Sequence, residues 1–102
     1  TVSSQGQPHV YRLEQNYPNP FNPTTTIAWQ LPADSRVVLR VYNSLGQLVG
    51  NLMDGNMPAG VHSIAWDAGG HASGVYFVRI EATSVADPGA GFVQTRKMLL
   101  VR

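Results

Sequence analysis

Gly74-Val75-Tyr76-Phe77-Val78-Arg79-Ile80-Glu81-Ala82 is the stretch on which the fold turns. Tyr76, Val78 and Ile80 alternate with the charged Arg79 and Glu81. A period of two places alternate residues on opposite faces of a strand, whereas a helix needs apolar residues three and four apart. The same period recurs upstream. In Thr24–Leu31, Ile27, Trp29 and Leu31 share one face, and Thr26, Ala28 and Gln30 the other. In Arg36–Tyr42, Val37, Leu39 and Val41 point inward and Arg40 outward; in Val61–Trp66, His62, Ile64 and Trp66 share a face. Ten glycines and seven prolines punctuate the chain and leave few windows for a mean-length helix of about 11–12 residues. The longest windows, Ala33–Leu45 and Val75–Asp87, are rich in β-branched residues.

The remaining segments fall into place around these. Thr1–Pro8 is small and polar and reads as a flexible linker, so the domain runs from residue 9 to residue 102. Val10–Gln15 reads as a short edge strand, Gln47–Met53 as a return strand and Phe92–Val101 as the last strand. Pro32-Ala33-Asp34 and Asn43-Ser44-Leu45-Gly46 read as tight connections, the second with Gly46 at positive φ. Asp54-Gly55, Pro58 and Gly60 break the pattern, and Asp67–Gly74 and Ser84–Gly91 read as loops. About seven strands with turn signals every 8–12 residues predict an all-β, immunoglobulin-like antiparallel sandwich, with a barrel of similar strand count as the competing architecture. The Cys…Trp…Cys signature of antibody domains is absent.

Composition narrows the function. The chain has 102 residues, enough for one domain. Leu, Ile, Val and Phe together clear the roughly 20% below which a chain tends to stay disordered. The net charge of +1 and the lack of a basic stripe argue against nucleic acid as a partner. With no cysteine there is no disulfide framework, thiolate nucleophile or cysteine zinc site. The longest aliphatic run, Met98-Leu99-Leu100-Val101, is far too short to span a bilayer. With no initiator Met, basic n-region or apolar h-region at its start, the chain is expected to be a piece of a longer protein or a processed form of one.

No catalytic pattern emerges. In Gly70-His71-Ala72-Ser73-Gly74 the serine is misplaced for a nucleophile elbow, and Gly89-Ala90-Gly91 lacks the third glycine of a dinucleotide loop. An enzyme is not expected, nor is any cofactor. His62, Asp67 and His71 lie close enough in sequence to consider a metal, but a core-edge histidine and a solvated loop account for them. Trp29 and Trp66 invite a sugar-stacking platform, yet their alternation with Ile27, Leu31 and Ile64 places both indoles inward. Tyr11, Tyr42 and Phe77 are weaker candidates for that role.

Tyr17-Pro18-Asn19-Pro20-Phe21-Asn22-Pro23 is the most unusual stretch. Proline has no N–H to donate to a ladder, and it holds the preceding residue extended. Asn16, Asn19 and Asn22 flank the prolines and can bond back to the local backbone. The segment reads as a stiff bend outside the sheets, with Tyr17 and Phe21 as plugs over one end of the sandwich.

Leu13-x-Gln15-Asn16-Tyr17-Pro18-Asn19-Pro20-Phe21-Asn22-Pro23, followed by Thr25, Thr26 and Ile27, resembles the opening of the type A C-terminal sorting domain of the type IX secretion system. Val41-Tyr42-Asn43-Ser44-Leu45-Gly46-Gln47-x-Val49, Ala59-Gly60-x-His62 with Trp66-Asp67, Ser73-Gly74-Val75-Tyr76-Phe77 and Lys97-Met98-Leu99-Leu100-Val101-Arg102 are similar to its later motifs, in order. Ser84–Gly91 is long for the family. The family's fold resembles the Ig-like domain of flagellar-hook capping proteins. The alternating strands and the lack of a strong ligand cluster predict a monomer, and the resemblance implies a non-catalytic tag of an N-terminal cargo. The cargo reaches the periplasm of a Gram-negative bacterium and is carried by the type IX machinery to the surface or the medium. A surface sortase then removes the tag, in or before Thr1–Pro8. The signal is implied to lie in the last strand, Thr95, Arg96, Lys97, Met98, Leu99, Leu100, Val101 and Arg102. There the pair Arg96-Lys97 on a terminal edge offers charge and backbone groups to a partner strand. The remaining alternatives are a carbohydrate-binding module and a structural Ig-like spacer.

Overall fold

The structure is a computed structural model that describes residues 8–102, so most of the expected linker at Thr1–Pro8 lies outside it. Seven strands follow in order: β1 (Arg12–Leu13), β2 (Thr24–Leu31), β3 (Ser35–Asn43), β4 (Leu48–Met57), β5 (Gly60–Asp67), β6 (Gly74–Ser84) and β7 (Gly91–Leu100). They form two antiparallel sheets, β1-β2-β5 and β4-β3-β6-β7. The chain changes sheet between β2 and β3, between β4 and β5, and between β5 and β6. The architecture is an Ig-like sandwich, and the two separate sheets exclude the barrel.

The period-two pattern becomes burial. Ile27, Trp29 and Leu31 face Val37, Leu39 and Val41 and Val78, Ile80 and Ala82 across the core, all at most 2% exposed. The opposite phase of β2 and β3 is exposed or half-buried. Trp66 of β5 bridges to the other sheet. Its indole Nε1 would lie 3.4 Å from a Cβ built on Gly50 of β4, so the bare backbone there gives the ring room. Phe21 and Tyr76 pack on the same indole at ring-centroid distances of 5.8 and 5.7 Å.

Two elements depart from the sequence expectation. β1 shrinks from Val10–Gln15 to two residues, because only Arg12 and Leu13 stay in register with Gln30 and Trp29. β4 runs on through Asp54-Gly55 to Met57, opposite Ser35–Val38. It is an edge strand, so Gly55 interrupts a single ladder, the one with β3. Two register shifts against β3, between Leu39 and Arg40 and between Val41 and Tyr42, bulge β4. Val49, Leu52 and Met53 at and beside the bulges pack on the core. The β3–β4 connection closes with Gly46 at φ 82°, while the Asn43 carboxamide oxygen accepts from the Leu45 and Gln47 amides at 2.9 and 3.0 Å.

Because Trp66 is 6% exposed and joins both sheets, Trp66→Ala is expected to destabilise the domain by about 3–5 kcal/mol in urea unfolding. A cost below about 1 kcal/mol would mean that the indole is not a core member.

Candidate recognition site: the proline box and the last strand

The segment between β1 and β2 is built by short-range side-chain bonds. Asn16, 2% exposed, donates from Nδ2 to the Pro18 carbonyl and to Thr25 Oγ1 at 3.1 and 2.9 Å. The Thr25 hydroxyl donates in turn to the same carbonyl at 2.9 Å. Tyr17 and Thr26 exchange both backbone bonds, at 3.0 and 2.9 Å. The peptide bonds before Pro18, Pro20 and Pro23 are all cis.

From there the box crosses to the other sheet and joins the end of β7. Phe21 N–H donates to the Leu99 carbonyl and Val101 N–H to the Phe21 carbonyl, each at 3.0 Å. Asn19 Oδ1 accepts from the Leu99 amide at 3.0 Å, and Gln15 Nε2 donates to the Lys97 carbonyl at 2.8 Å. Asn19 therefore bonds a residue far along the chain rather than its own turn, and the box is not wholly outside the sheets. Tyr17 does not plug the sandwich: it is 80% exposed, whereas Phe21 is 2% exposed against Trp66. The two aromatics lie on opposite sides of a bend, and only one can reach the core.

The last strand divides by phase. Met98 and Leu100 are buried, Gln94 and Arg96 half-buried, and Val93, Thr95, Lys97 and Leu99 exposed. Arg96 and Lys97 thus do not form one basic patch, because neighbouring strand residues point to opposite faces. Arg96 Nε donates to the Leu13 carbonyl at 3.0 Å, and Gln94 Oε1 accepts from the Leu13 amide at 3.0 Å. Together they hold the outer edge of β1 from the facing sheet. Arg102 is also engaged. Its Nη1 donates to the carbonyls of Gly69 and His71 at 2.7 and 2.8 Å and, more weakly, of Ala68 at 3.3 Å, while its amide donates to Ser73 Oγ at 3.1 Å. Val101 is exposed.

Sequence reasoning missed Gln94 and quoted Gln15 only as part of the motif, without a partner. The one signal for Gln94 is position: it is a polar residue in phase with the buried Met98 and Leu100, so it has to find a partner inside.

The other candidates come apart. His62 Nε2 contacts the Pro58 carbonyl at 2.8 Å, Asp67 Oδ1 accepts from the Gly69 amide, and the His71 ring packs against Trp66 and Tyr76. Among the described residues no three His, Asp or Glu side chains converge as a metal site. Trp29 and Trp66 are buried, and Tyr11 stacks on Phe92 at 5.6 Å while bonding Ser35. Tyr42 and Phe77, by contrast, are cross-strand neighbours on the outer face of the larger sheet.

The molecule is thus a small Ig-like module whose proline-rich entry segment is fastened to its last strand. A family model for the FlgD Ig-like domain matches residues 15–85, and the chain belongs to that family. The match takes in the box and ends before β7. Among solved structures the fold is similar to part of PorZ, described as an essential bacterial surface component of the type-IX secretion system of Porphyromonas gingivalis. The identity is 20% and the TM-score 0.53, over 90% of this chain and 11% of that one. No curated protein sequence matches the chain.

The box yields a paired prediction. Phe21→Ala should cost about 3–5 kcal/mol, as truncation of a buried aromatic does. Tyr17→Ala should stay within about 0.5 kcal/mol, as exposed substitutions do. Thermal melts of both variants check this, and equal losses would refute the division of roles.

Proposed function

We propose that this domain is a non-catalytic sorting module that directs an attached cargo across the outer membrane by type IX secretion, after which the domain is removed and the cargo is released or anchored. The observation that carries the reading is the outward phase of β7. Thr95, Lys97 and Leu99 are exposed on a terminal edge strand whose far end is locked by the box, so the two most family-like stretches form one surface. The backbone groups of Val93 and Thr95, in phase with Leu99, meet no partner among the described residues. That short open edge suits strand addition by a receptor. The resemblance of the box and terminal motifs to type A sorting domains, and the PorZ-like fold, support the same reading. In it the partners are the type IX machinery and a surface sortase, and the cargo passes through the periplasm of a Gram-negative bacterium.

Fusing residues 1–102 to a periplasm-targeted reporter should bring the reporter to the surface or medium of a host with the matching system. Lys97→Glu separates charge from fold. Lys97 is exposed and without a carboxylate partner among the described residues, so reversal should cost little stability, within about 0.5 kcal/mol. The folded variant should be exported poorly. Normal export of that variant would assign recognition to the strand backbone instead. An intact fusion that stays in the periplasm would overturn the sorting role.

A further inference from the structure

The two outer faces of the sandwich differ in kind. An antiparallel sheet packed on one side usually turns a polar face to solvent. The three-stranded sheet does so, with Thr24, Thr26, Gln30 and Ser63 outward beside Val61. The four-stranded sheet also turns out polar residues, Asp54 and Glu81 among them, but it sets two aromatic rings beside its cations. Its register aligns Leu48, Tyr42, Phe77 and Lys97 in one row across β4, β3, β6 and β7. The next row is Asn51, Arg40, Arg79 and Thr95. Strand spacing sets neighbours within a row about 4.7–4.9 Å apart, and two residues of rise set the rows about 6.5 Å apart.

The charged row is costly as it stands. Arg40 and Arg79 are directly opposite, and like charges so placed are destabilising. Arg79 has Glu81 at 3.3 Å, but Arg40 and Lys97 have no carboxylate within salt-bridge reach among the described residues. Arg40 Nε is moreover buried without an acceptor. An anion lying along this row would relieve the repulsion, most strongly as a carboxylate forked by a guanidinium.

We propose that this face binds an acidic polysaccharide, with sugar rings over Tyr42 and Phe77 and their carboxylates on Arg40, Arg79 and Lys97. The aromatics are half-buried cross-strand neighbours on this face and do not stack on each other, which leaves both free to meet the C–H side of a sugar. A row of rings beside a parallel row of cations matches a polymer that alternates rings and carboxylates along its length.

The test uses the 102-residue chain with polygalacturonate as probe, neutral dextran as the uncharged control and polyglutamate as a polyanion without rings, measured by calorimetry. Polygalacturonate should bind, weaken with added salt, and exceed both controls by at least about tenfold, equivalent to 1.4 kcal/mol. Phe77→Ala and Arg40→Gln should each lower affinity by a similar factor, in proteins shown to be folded by circular dichroism. Should Phe77→Ala fail to fold, Tyr42→Phe with Arg79→Gln replaces it: the ring-preserving change should keep binding and the charge-removing one lose it. Equal binding of polyglutamate would overturn the proposal and make an acidic protein surface the occupant. No binding of polygalacturonate, or full binding by Arg40→Gln, would also overturn it. Export of a fused reporter is a separate readout, so loss of either property leaves the other interpretable.

Discussion

On one flank of the sandwich both sheets end, β1 in the smaller and β7 in the larger, and each strand turns unpaired backbone N–H and C=O groups toward the gap. Groups left unsatisfied when partly buried cost about 1–3 kcal/mol each. No strand fills the gap. Side chains do instead: Gln94 and Arg96 reach from β7 to Leu13 of β1, while Gln15 and Asn19 reach from the β1 side to Lys97 and Leu99 of β7. This reciprocal stitching, with Phe21 paired to Leu100 as a bridge, holds the two sheets at a fixed separation on that flank. Phe21, and through it Trp66 and Tyr76, can then pack as one aromatic cluster.

The chemistry of the box follows from that task. A segment crossing between sheets cannot join a ladder along its length, so every amide it carries is a donor in need of a partner. Three prolines remove three such donors. The amides of Tyr17 and Phe21, at the two points where the segment touches a sheet, are both used. Asn16 and Thr25 then absorb the Pro18 carbonyl from inside. The opposite flank, where β4 and β5 are the edges, is managed differently: β4 is bulged and carries Asp54, and β5 alternates exposed Ser63 and Ala65.

The sequence spelled out what is periodic. Every inward residue of β2 and β3 named from alternation is buried, because burial along a strand follows from a rule two residues long. The box was legible as a motif, and its partners were not. Asn19 and Leu99 are 80 residues apart, and nothing local to either announces the other. The same limit explains Tyr17, whose exposure depends on which way a bend turns. The Arg96-Lys97 pair divides for a reason that is local: the alternation that buries Met98 and Leu100 also sends Arg96 inward and Lys97 outward. Of the sugar-stacking candidates, the tryptophans were removed by phase alone, whereas the adjacency of Tyr42 and Phe77 required the β3–β6 register.

The last strand therefore carries two messages in alternating residues. Its inner phase, Gln94, Arg96, Met98 and Leu100, is committed to the core and to β1; in its outer phase, Thr95, Lys97 and Leu99, the backbone of Lys97 and Leu99 fastens the box while the side chains stay exposed. Changes in the first phase act through stability and changes in the second through whatever reads the surface, even at adjacent positions. A terminal strand of this kind suits a module whose surface is to be read by another molecule. The inner residues tie exposure of the outer ones to completion of the fold, because Leu99 is held in place by Asn19 and Phe21 only when the box and β7 have come together. A chain that has not closed this flank presents neither the box nor the outer phase of β7 in its final geometry, and a reader of that joint surface can discriminate folded domains from unfolded ones without any further device.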